Sequence, residues 1–445
     1  MQVQQIISEM FPASDDKLNI GGVDVEKLAQ EFGTPLFVYD ESVLLRKWEL
    51  LRATFPGRFQ IHYSVKANPN PNLLAFFLAH GAGLEIASAG ELCLALEAGC
   101  PRHRILFAGP GKTPAELELA LKAQIGEIHA ESITELERIA VIAERLNQVA
   151  AVAIRVNPDG EAQGGAMRMG GKATPFGIDE EKLDEALDYA LSCPSIEFCG
   201  IQLFAGTQLL DSETLLNQYR KGLRIAERVA RRIGRPLKSL DFGGGLGVPY
   251  YSNDQPLDMA HLKAGLTALM HEIEGDRTFA GTGFIIEPGR FLTAEAGVYI
   301  TRVLDVKVSR EKRFAIADGG MNHHLAASGN LGQTIKRNFP VAVANRLLQP
   351  EEESVDIVGP LCTPLDVLAR SVRTPHIEIG DLIAVFQSGA YARSASPLGF
   401  LSHPAPAEVL VADGEARLIR RRGDVSDYLR DVEFVGQAVT ANNNG

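Results

Sequence analysis

The sequence predicts an α/β fold, a (β/α)8 barrel of the TIM type with a second, all-β domain after it. Three observations carry this. Short β-branched or apolar runs alternate eight times with longer amphipathic stretches between residues 59 and 289. Helical periodicity is mostly lost after about residue 290. The length of 445 residues leaves room for a barrel of about 250 residues and a further domain.

The eight runs are 59–66, 84–88, 105–109, 127–131, 149–157, 196–206, 239–244 and 284–287. Between them apolar residues recur at i, i+3 and i+4, as in Leu73, Leu74, Phe77 and Leu78, or Leu136, Ile139, Ala140 and Ile142. That spacing puts one helical face against a sheet, and eight β-then-α units close a barrel. Downstream, 298–308, 313–317, 355–358, 382–386 and 409–418 alternate or cluster as strands of a sandwich or barrel. The stretch up to about Tyr39 precedes the first barrel strand and is expected against the β domain. The division is thus a segment 1–39, a barrel 40–290 and a β domain 291–445.

One connection is abnormally long. Between Asn157 and the helix near Asp179 lie Gly160, Gly164, Gly165, Gly170, Gly171 and Gly177, more than a routine β/α loop holds. It is expected on the catalytic face, as a mobile insertion or as a lid whose Arg168 and Lys172 meet an anionic group of a large substrate.

The balance of 44 Lys and Arg against 56 Asp and Glu gives a net charge of -12, the wrong sign for a nucleic-acid partner. Residues 1–11 lack a basic, then apolar leader, and no run of about eighteen apolar residues occurs. A cytoplasmic enzyme with no membrane partner is expected. Cys93, Cys100, Cys193, Cys199 and Cys362 form no C-x-x-C pair, so free thiols in a reducing compartment are expected.

Chemistry in a barrel collects at the C-terminal ends of the strands. The first run ends His62-Tyr63-Ser64-Val65-Lys66. A lysine there, its pKa lowered by desolvation or nearby cations, can form a Schiff base with an aldehyde. The seventh runs into Asp241-Phe242-Gly243-Gly244-Gly245, glycines that either make a tight turn or let backbone N–H groups approach a phosphate. The eighth ends Glu287-Pro288-Gly289-Arg290. These charges either pair with each other or divide the work, the carboxylate keeping a heteroaromatic nitrogen protonated and the guanidinium holding an anionic oxygen. Lysine, glycines and carboxylate together meet the needs of pyridoxal 5'-phosphate.

With these motifs the chain resembles the fold type III pyridoxal-phosphate decarboxylases, the group that includes diaminopimelate, ornithine and arginine decarboxylases. The likeness runs from Phe37-Val38-Tyr39-Asp40 to Ala407-Glu408-Val409-Leu410. It implies that Lys66 bonds the cofactor aldehyde, that Gly243, Gly244 and Gly245 cradle the phosphate, that Glu287 pairs with the pyridine nitrogen and that Arg290 lies near phosphate or substrate. Gly389-Ala390-Tyr391 is similar to the element whose tyrosine binds the phosphate. Gly359-Pro360-Leu361-Cys362-Thr363-Pro364-Leu365-Asp366 is similar to the C-x-x-x-D element that enters the site from the opposite subunit. The resemblance thereby implies a homodimer with two shared sites, Cys362 protonating the product carbanion, and Thr363 and Asp366 beside the substrate. His323 and His324, after Asp318-Gly319-Gly320-Met321, lack further ligands at metal-binding spacing and are expected to be an ordinary loop pair.

Two departures matter. Where the family stacks a histidine on the cofactor ring this chain has Phe204, which keeps an aromatic face but loses a polar contact, and Thr207 still offers a hydroxyl to the phosphate. Where diaminopimelate decarboxylases follow the cysteine with a glutamate for the distal amine, this chain has Thr363. Together with Phe400-Leu401-Ser402-His403-Pro404 this resembles the branch acting on modified amino acids, which includes glutamyl-carrier-protein and citryl-diaminopropionate decarboxylases. The expected activity is α-decarboxylation of an amino acid or of a carrier-tethered or citrate-linked conjugate, with meso-diaminopimelate decarboxylation as the alternative. A racemase of the same fold pairs the ring nitrogen with arginine and uses a partner-subunit tyrosine, so Glu287 and Cys362 argue against it. A non-catalytic relative would have lost parts of the cofactor set, all of which is present.

Overall fold

The computed structural model describes residues 3–11, 13–159, 167–168, 173–204, 206–333 and 335–433. Eight parallel strands, Phe59–Ser64, Gly83–Ile86, Ile105–Phe107, Glu127–Ala130, Ala150–Asn157, Ile196–Leu203, Ser239–Asp241 and Gly283–Ile286, form the barrel. It closes where the eighth strand pairs with the first, Phe284 opposite Phe59 and Ile286 opposite Ile61. Helices between strands start where the sequence supplies a side chain for their free N–H groups. Asn70 caps Pro71–Ala79, Ser88 caps Ala89–Glu97, and Thr113 with Glu116 forms a reciprocal capping box ahead of Pro114–Ala123.

The two faces of the barrel strands differ in character. Phe59, Phe242 and Phe284, ring centroids 5.4 to 5.8 Å apart, face outward into the helix layer, where Phe59 meets Phe55 and Phe242 meets Tyr219. In the lumen, where barrels are ordinarily filled by Val, Ile and Leu, stand the buried groups His62, Glu85, Glu127, His129, Gln202 and Asp241. Ser239 Oγ of the seventh strand donates to Glu127 Oε2 of the fourth at 2.6 Å. Those strands are not neighbours in the sheet, so the bond runs across the lumen.

The second sheet is all β and contains a strand from before the barrel. Leu36–Asp40 pairs antiparallel with Gly297–Ser309 on one side and parallel with Ala407–Ala412 on the other. Beyond Gly297–Ser309 come Lys312–Ala317, Glu353–Val358 and Val367–Thr374. The region 409–418, read as one strand from sequence, is a hairpin of Ala407–Ala412 and Glu415–Arg420, turned at Asp413 (φ 52°) and Gly414 (φ 78°). Val367–Thr374 was not legible as a strand, because Arg370, Ser371 and Arg373 break its apolar run; only Leu368, Ala369 and Thr374 are buried.

His323 and His324 lie buried beside this sheet. His323 Nδ1 is 3.2 Å from Tyr299 Oη, while His324 Nε2 is 2.9 Å from Ser388 Oγ and its Nδ1 accepts the Ala327 N–H. Burial pushes the pKa of each down to about 3. An unfolded histidine takes a proton near pH 6.5 and these do not, so the unfolded chain binds more protons between about pH 6.5 and 3, and stability falls as pH drops through that window. The slope is up to roughly 1.4 kcal/mol per pH unit per histidine. Thermal unfolding from pH 7 to 4.5 is expected to show a falling midpoint, and His324→Asn a shallower decline.

Candidate active site

After the first strand a single 3-10 turn, Val65–Ala67, carries Lys66 into the barrel mouth. Its side chain is 45% accessible, open to a molecule entering from above. Lys66 Nζ donates to both oxygens of Glu85, at 2.9 and 2.7 Å. Glu85 is buried in the second strand and also accepts from Ser64 Oγ at 2.5 Å. Desolvation is the largest single influence on Lys66 and lowers its pKa, but Glu85, Tyr391 and Glu287 outweigh it and the net direction is upward. The sequence-based expectation of a lowered lysine pKa is therefore reversed, because its neighbours are carboxylates and not cations.

The glycine run after the seventh strand turns back against the eighth. Gly243 and Gly245 have φ of 69° and 106°, in the region that side chains disfavour. A Cβ on Gly244 would sit 2.5 Å from the Glu287 carbonyl oxygen, and one on Gly243 2.5 Å from that of Leu203. Gly243 N–H donates to Asp241 Oδ1 at 2.7 Å. Among the described residues no acceptor takes the N–H of Gly244 or Gly245, so two backbone donors remain for an anion.

Glu287 is tied to this run through its N–H, which donates to Gly243 O at 2.9 Å. Its Oε2 accepts from Gln202 Nε2 at 3.2 Å, and its Oε1 is buried with no hydrogen-bond partner. Burial, followed by Glu85, raises its pKa, with His129 and Lys66 opposing. Arg290 donates to Tyr250 Oη at 3.0 Å and lies 4.6 Å over the Tyr391 ring. Glu287 and Arg290 thus face different partners. Tyr391 takes φ of 52°, a costly conformation for a bulky residue that clusters at functional sites. Its N–H donates to Ala67 O at 2.8 Å, bringing the second sheet onto the lysine turn.

Phe204 is half-buried, with Arg155 5.9 Å from its ring centroid. Thr207 lies on the short strand Gly206–Thr207, which pairs with Met167–Arg168 of the glycine-rich insertion. Gly160, Gly164, Gly165, Gly170, Gly171, Lys172 and the Arg168 side chain, and with them the lid reading, lie outside the described residues.

The contacts bring Lys66, Gly243, Gly244, Gly245, Phe204, Glu287, Arg290 and Tyr391 together. They do not include Cys362, Thr363 or Asp366. Asp366 is buried and its two oxygens accept from Met321 N–H at 2.6 Å and Leu361 N–H at 2.8 Å, so this carboxylate ties its loop to the turn at Met321. Cys362 is exposed on that loop. Among the described residues, the loop's hydrogen bonds run within it and to its own sheet's turns.

Sequence reasoning gave no role to Glu85, His129 or Asp241. The available signal was a charged or titratable residue inside an apolar strand run, as in Leu84-Glu85-Ile86 and Glu127-Ile128-His129-Ala130.

Residues 41–294 match the family model for the pyridoxal-dependent decarboxylase, pyridoxal binding domain. The chain belongs to the pyridoxal-dependent decarboxylases. Its cofactor is pyridoxal phosphate and it is a carboxy-lyase. This decarboxylase is 40% identical over 415 residues to the L-glutamyl-(BtrI acyl-carrier protein) decarboxylase of Niallia circulans, covering 93% of this chain and 96% of that protein. It is 36% identical to the diaminopimelate decarboxylase of Aquifex aeolicus, covering 93% and 95%. The diaminopimelate decarboxylase of Helicobacter pylori, solved with L-lysine, superposes with a TM-score of 0.79 at 32% identity, covering 91% and 98%. Among the described residues no helix is long and apolar enough to cross a membrane.

Proposed function

We propose that this decarboxylase removes the α-carboxyl group of an amino acid held in a larger conjugate, either tethered to a carrier protein or linked to citrate. The observation that carries the reading is Thr363, a neutral residue where the diaminopimelate decarboxylases place an acid for a distal ammonium. The 40% identity to a decarboxylase of a carrier-bound glutamyl group supports it.

The residues fit pyridoxal phosphate. The free N–H groups of Gly244 and Gly245, the Thr207 hydroxyl and Tyr391 would hold the phosphate, and the glycines leave it no Cβ to meet. The buried, unpartnered Glu287 Oε1 suits a ring N–H, and Phe204 offers an aromatic face. Bound there, the cofactor supplies an aldehyde carbon for an amine and a cationic ring that takes up the electrons left by CO2. Lys66 would hold the cofactor through its aldehyde carbon. Glu85 accepts two hydrogen bonds from the free Lys66 Nζ and would keep the amine at the barrel mouth whenever it is not bonded to the cofactor. Glu287 holds a proton at the ring nitrogen, and Arg290 holds an anionic oxygen of substrate or phosphate. Cys362 of a second subunit donates a proton to the product carbon, with Thr363 beside the substrate and Asp366 fixing the loop that carries both.

Sharing of sites across a homodimer gives an expected result. Lys66→Ala and Cys362→Ala homodimers are each inactive, but after subunit exchange half the dimers are mixed and each has one site with both native residues. About a quarter of wild-type activity is expected. No recovery, with exchange shown by native mass spectrometry, would place Cys362 in its own subunit's site.

Substrate choice is tested by CO2 release from free diamino acids, glutamate, its carrier-protein thioester and citrate-linked diamino acids. Loss of a charge-assisted contact at position 363 costs a diamino acid about 1.5 to 3 kcal/mol, or roughly ten- to a hundredfold in affinity. The conjugates are expected to be turned over efficiently and free meso-diaminopimelate, ornithine and lysine poorly. Efficient turnover of meso-diaminopimelate alone would overturn the reading in favour of the alternative that the 36% identical relative represents.

A further inference from the structure

Across the barrel from Glu287 lies a group that the reaction as described does not use. His129, on the fourth strand, is fully buried. Its Nε2 is 3.1 Å from Glu127 Oε1 and 4.0 Å from Asp241 Oδ2, and its Nδ1 is 3.8 Å from Glu287 Oε1. His129 Nδ1, Glu287 Oε1 and Asp241 Oδ2 are all buried without a hydrogen-bond partner. Each ring nitrogen of His129 therefore faces a carboxylate oxygen. A neutral imidazole carries N–H on one nitrogen and a lone pair on the other, so either neutral tautomer would aim a lone pair at a carboxylate. Only the imidazolium presents N–H in both directions.

The surrounding groups leave this cation to Glu287. His62 of the first strand is neutral, its pKa lowered to about 3 by burial and then by His129 and Arg104. Glu85 of the second strand is engaged by Lys66 and Ser64. Arg155 of the fifth strand pairs with Glu131 at 2.7 Å. Gln202 of the sixth donates to Glu287 Oε2 without charge. Asp241 of the seventh is pushed upward by burial and by Glu287, towards its protonated form. Without His129 below it, Glu287 would keep Lys66 and the hydrogen bonds from Gln202 and from Asp241 in its protonated form against burial and Glu85, and would lose the larger of its two cationic neighbours' influence.

We propose that His129 is a positioning residue which, as an imidazolium wedged between Glu127 and Glu287, holds the Glu287 carboxylate ionised so that it can keep the cofactor's ring nitrogen protonated. The inference rests on the reading that Glu287 meets that nitrogen. It adds a buried counter-ion on the opposite side of the lumen, and in a medium of low dielectric a charge at 3.8 Å acts strongly without a hydrogen bond.

The test is nitrogen-15 NMR of the holoenzyme at neutral pH, labelled in histidine or loaded with ring-labelled pyridoxal phosphate. The wild type is expected to show His129 doubly protonated and the ring nitrogen protonated. In His129→Gln, with cofactor still bound, the ring-nitrogen resonance is expected to move to its unprotonated position. A neutral His129 tautomer, or a ring nitrogen equally protonated in His129→Gln, would overturn the proposal. Should His129→Gln fail to fold, Glu127→Gln removes one of the two carboxylates that hold the imidazolium. The ring nitrogen is then expected to lose part of its protonation, and an unchanged resonance overturns the proposal. Glu287→Gln separates the two levels. If it leaves the ring nitrogen protonated, the reading of Glu287 itself fails; if it deprotonates the nitrogen while His129→Gln does not, only the role of His129 fails.

Discussion

Lys66→Ala is expected to abolish both the visible absorption of the bound cofactor and turnover, with activity falling at least about a thousandfold. The reason lies in two properties of the side chain. Its Nζ is open to the barrel mouth, and it is hydrogen-bonded to Glu85, which would keep the amine there whenever it is not bonded to the cofactor. Alanine removes the nucleophile and also strands a buried carboxylate, so folding is checked by circular dichroism. Lys66→Arg separates the two effects. A guanidinium keeps a cation against Glu85 but does not bond an aldehyde, so a folded Lys66→Arg protein that still lacks the band assigns the loss to chemistry. Retention of the band and of full turnover in either variant would contradict the role of Lys66.

The second large effect is at Glu287. Glu287→Gln is expected to keep the cofactor, because the glycine run, Tyr391 and Lys66 are untouched, yet to lose about a hundred- to a thousandfold in kcat, equivalent to roughly 3 to 4 kcal/mol of barrel-mouth electrostatics. An amide cannot hold a proton at a ring nitrogen as a carboxylate does, and the ring becomes a poorer acceptor of the electrons released with CO2. Steady-state kinetics beside an absorbance spectrum of the same preparation reads both halves, and an unchanged kcat would remove Glu287 from this role.

The barrel was legible because strand runs buried on both faces read as short apolar segments, and Lys66 stood out as a charge at the end of one of them. Glu85 was not legible, since its partnership depends on register. Ser64 lies opposite Glu85 across the first and second strands, which sets the carboxylate beside the lysine turn, and no spacing in the sequence states that register. His129 is harder still. It meets Glu287 across the lumen from a strand four places away, a contact that exists only once the barrel has closed. The loop of Cys362 was legible as a motif but not as a place, because Asp366 turns inward to hold backbone N–H groups while Cys362 faces outward. The strand Val367–Thr374 escaped for the opposite reason: its arginines interrupt the apolar run, and its extended form is fixed by pairing with the neighbouring strand Glu353–Val358.

The attachment of the cofactor to Lys66 is tested most directly by borohydride reduction of the holoenzyme followed by peptide mapping. A stable pyridoxyl group is expected on the peptide containing His62-Tyr63-Ser64-Val65-Lys66, at Lys66 and nowhere else in the chain. A label on another lysine, such as Lys112, or a reduced holoenzyme carrying no covalent label, would contradict it.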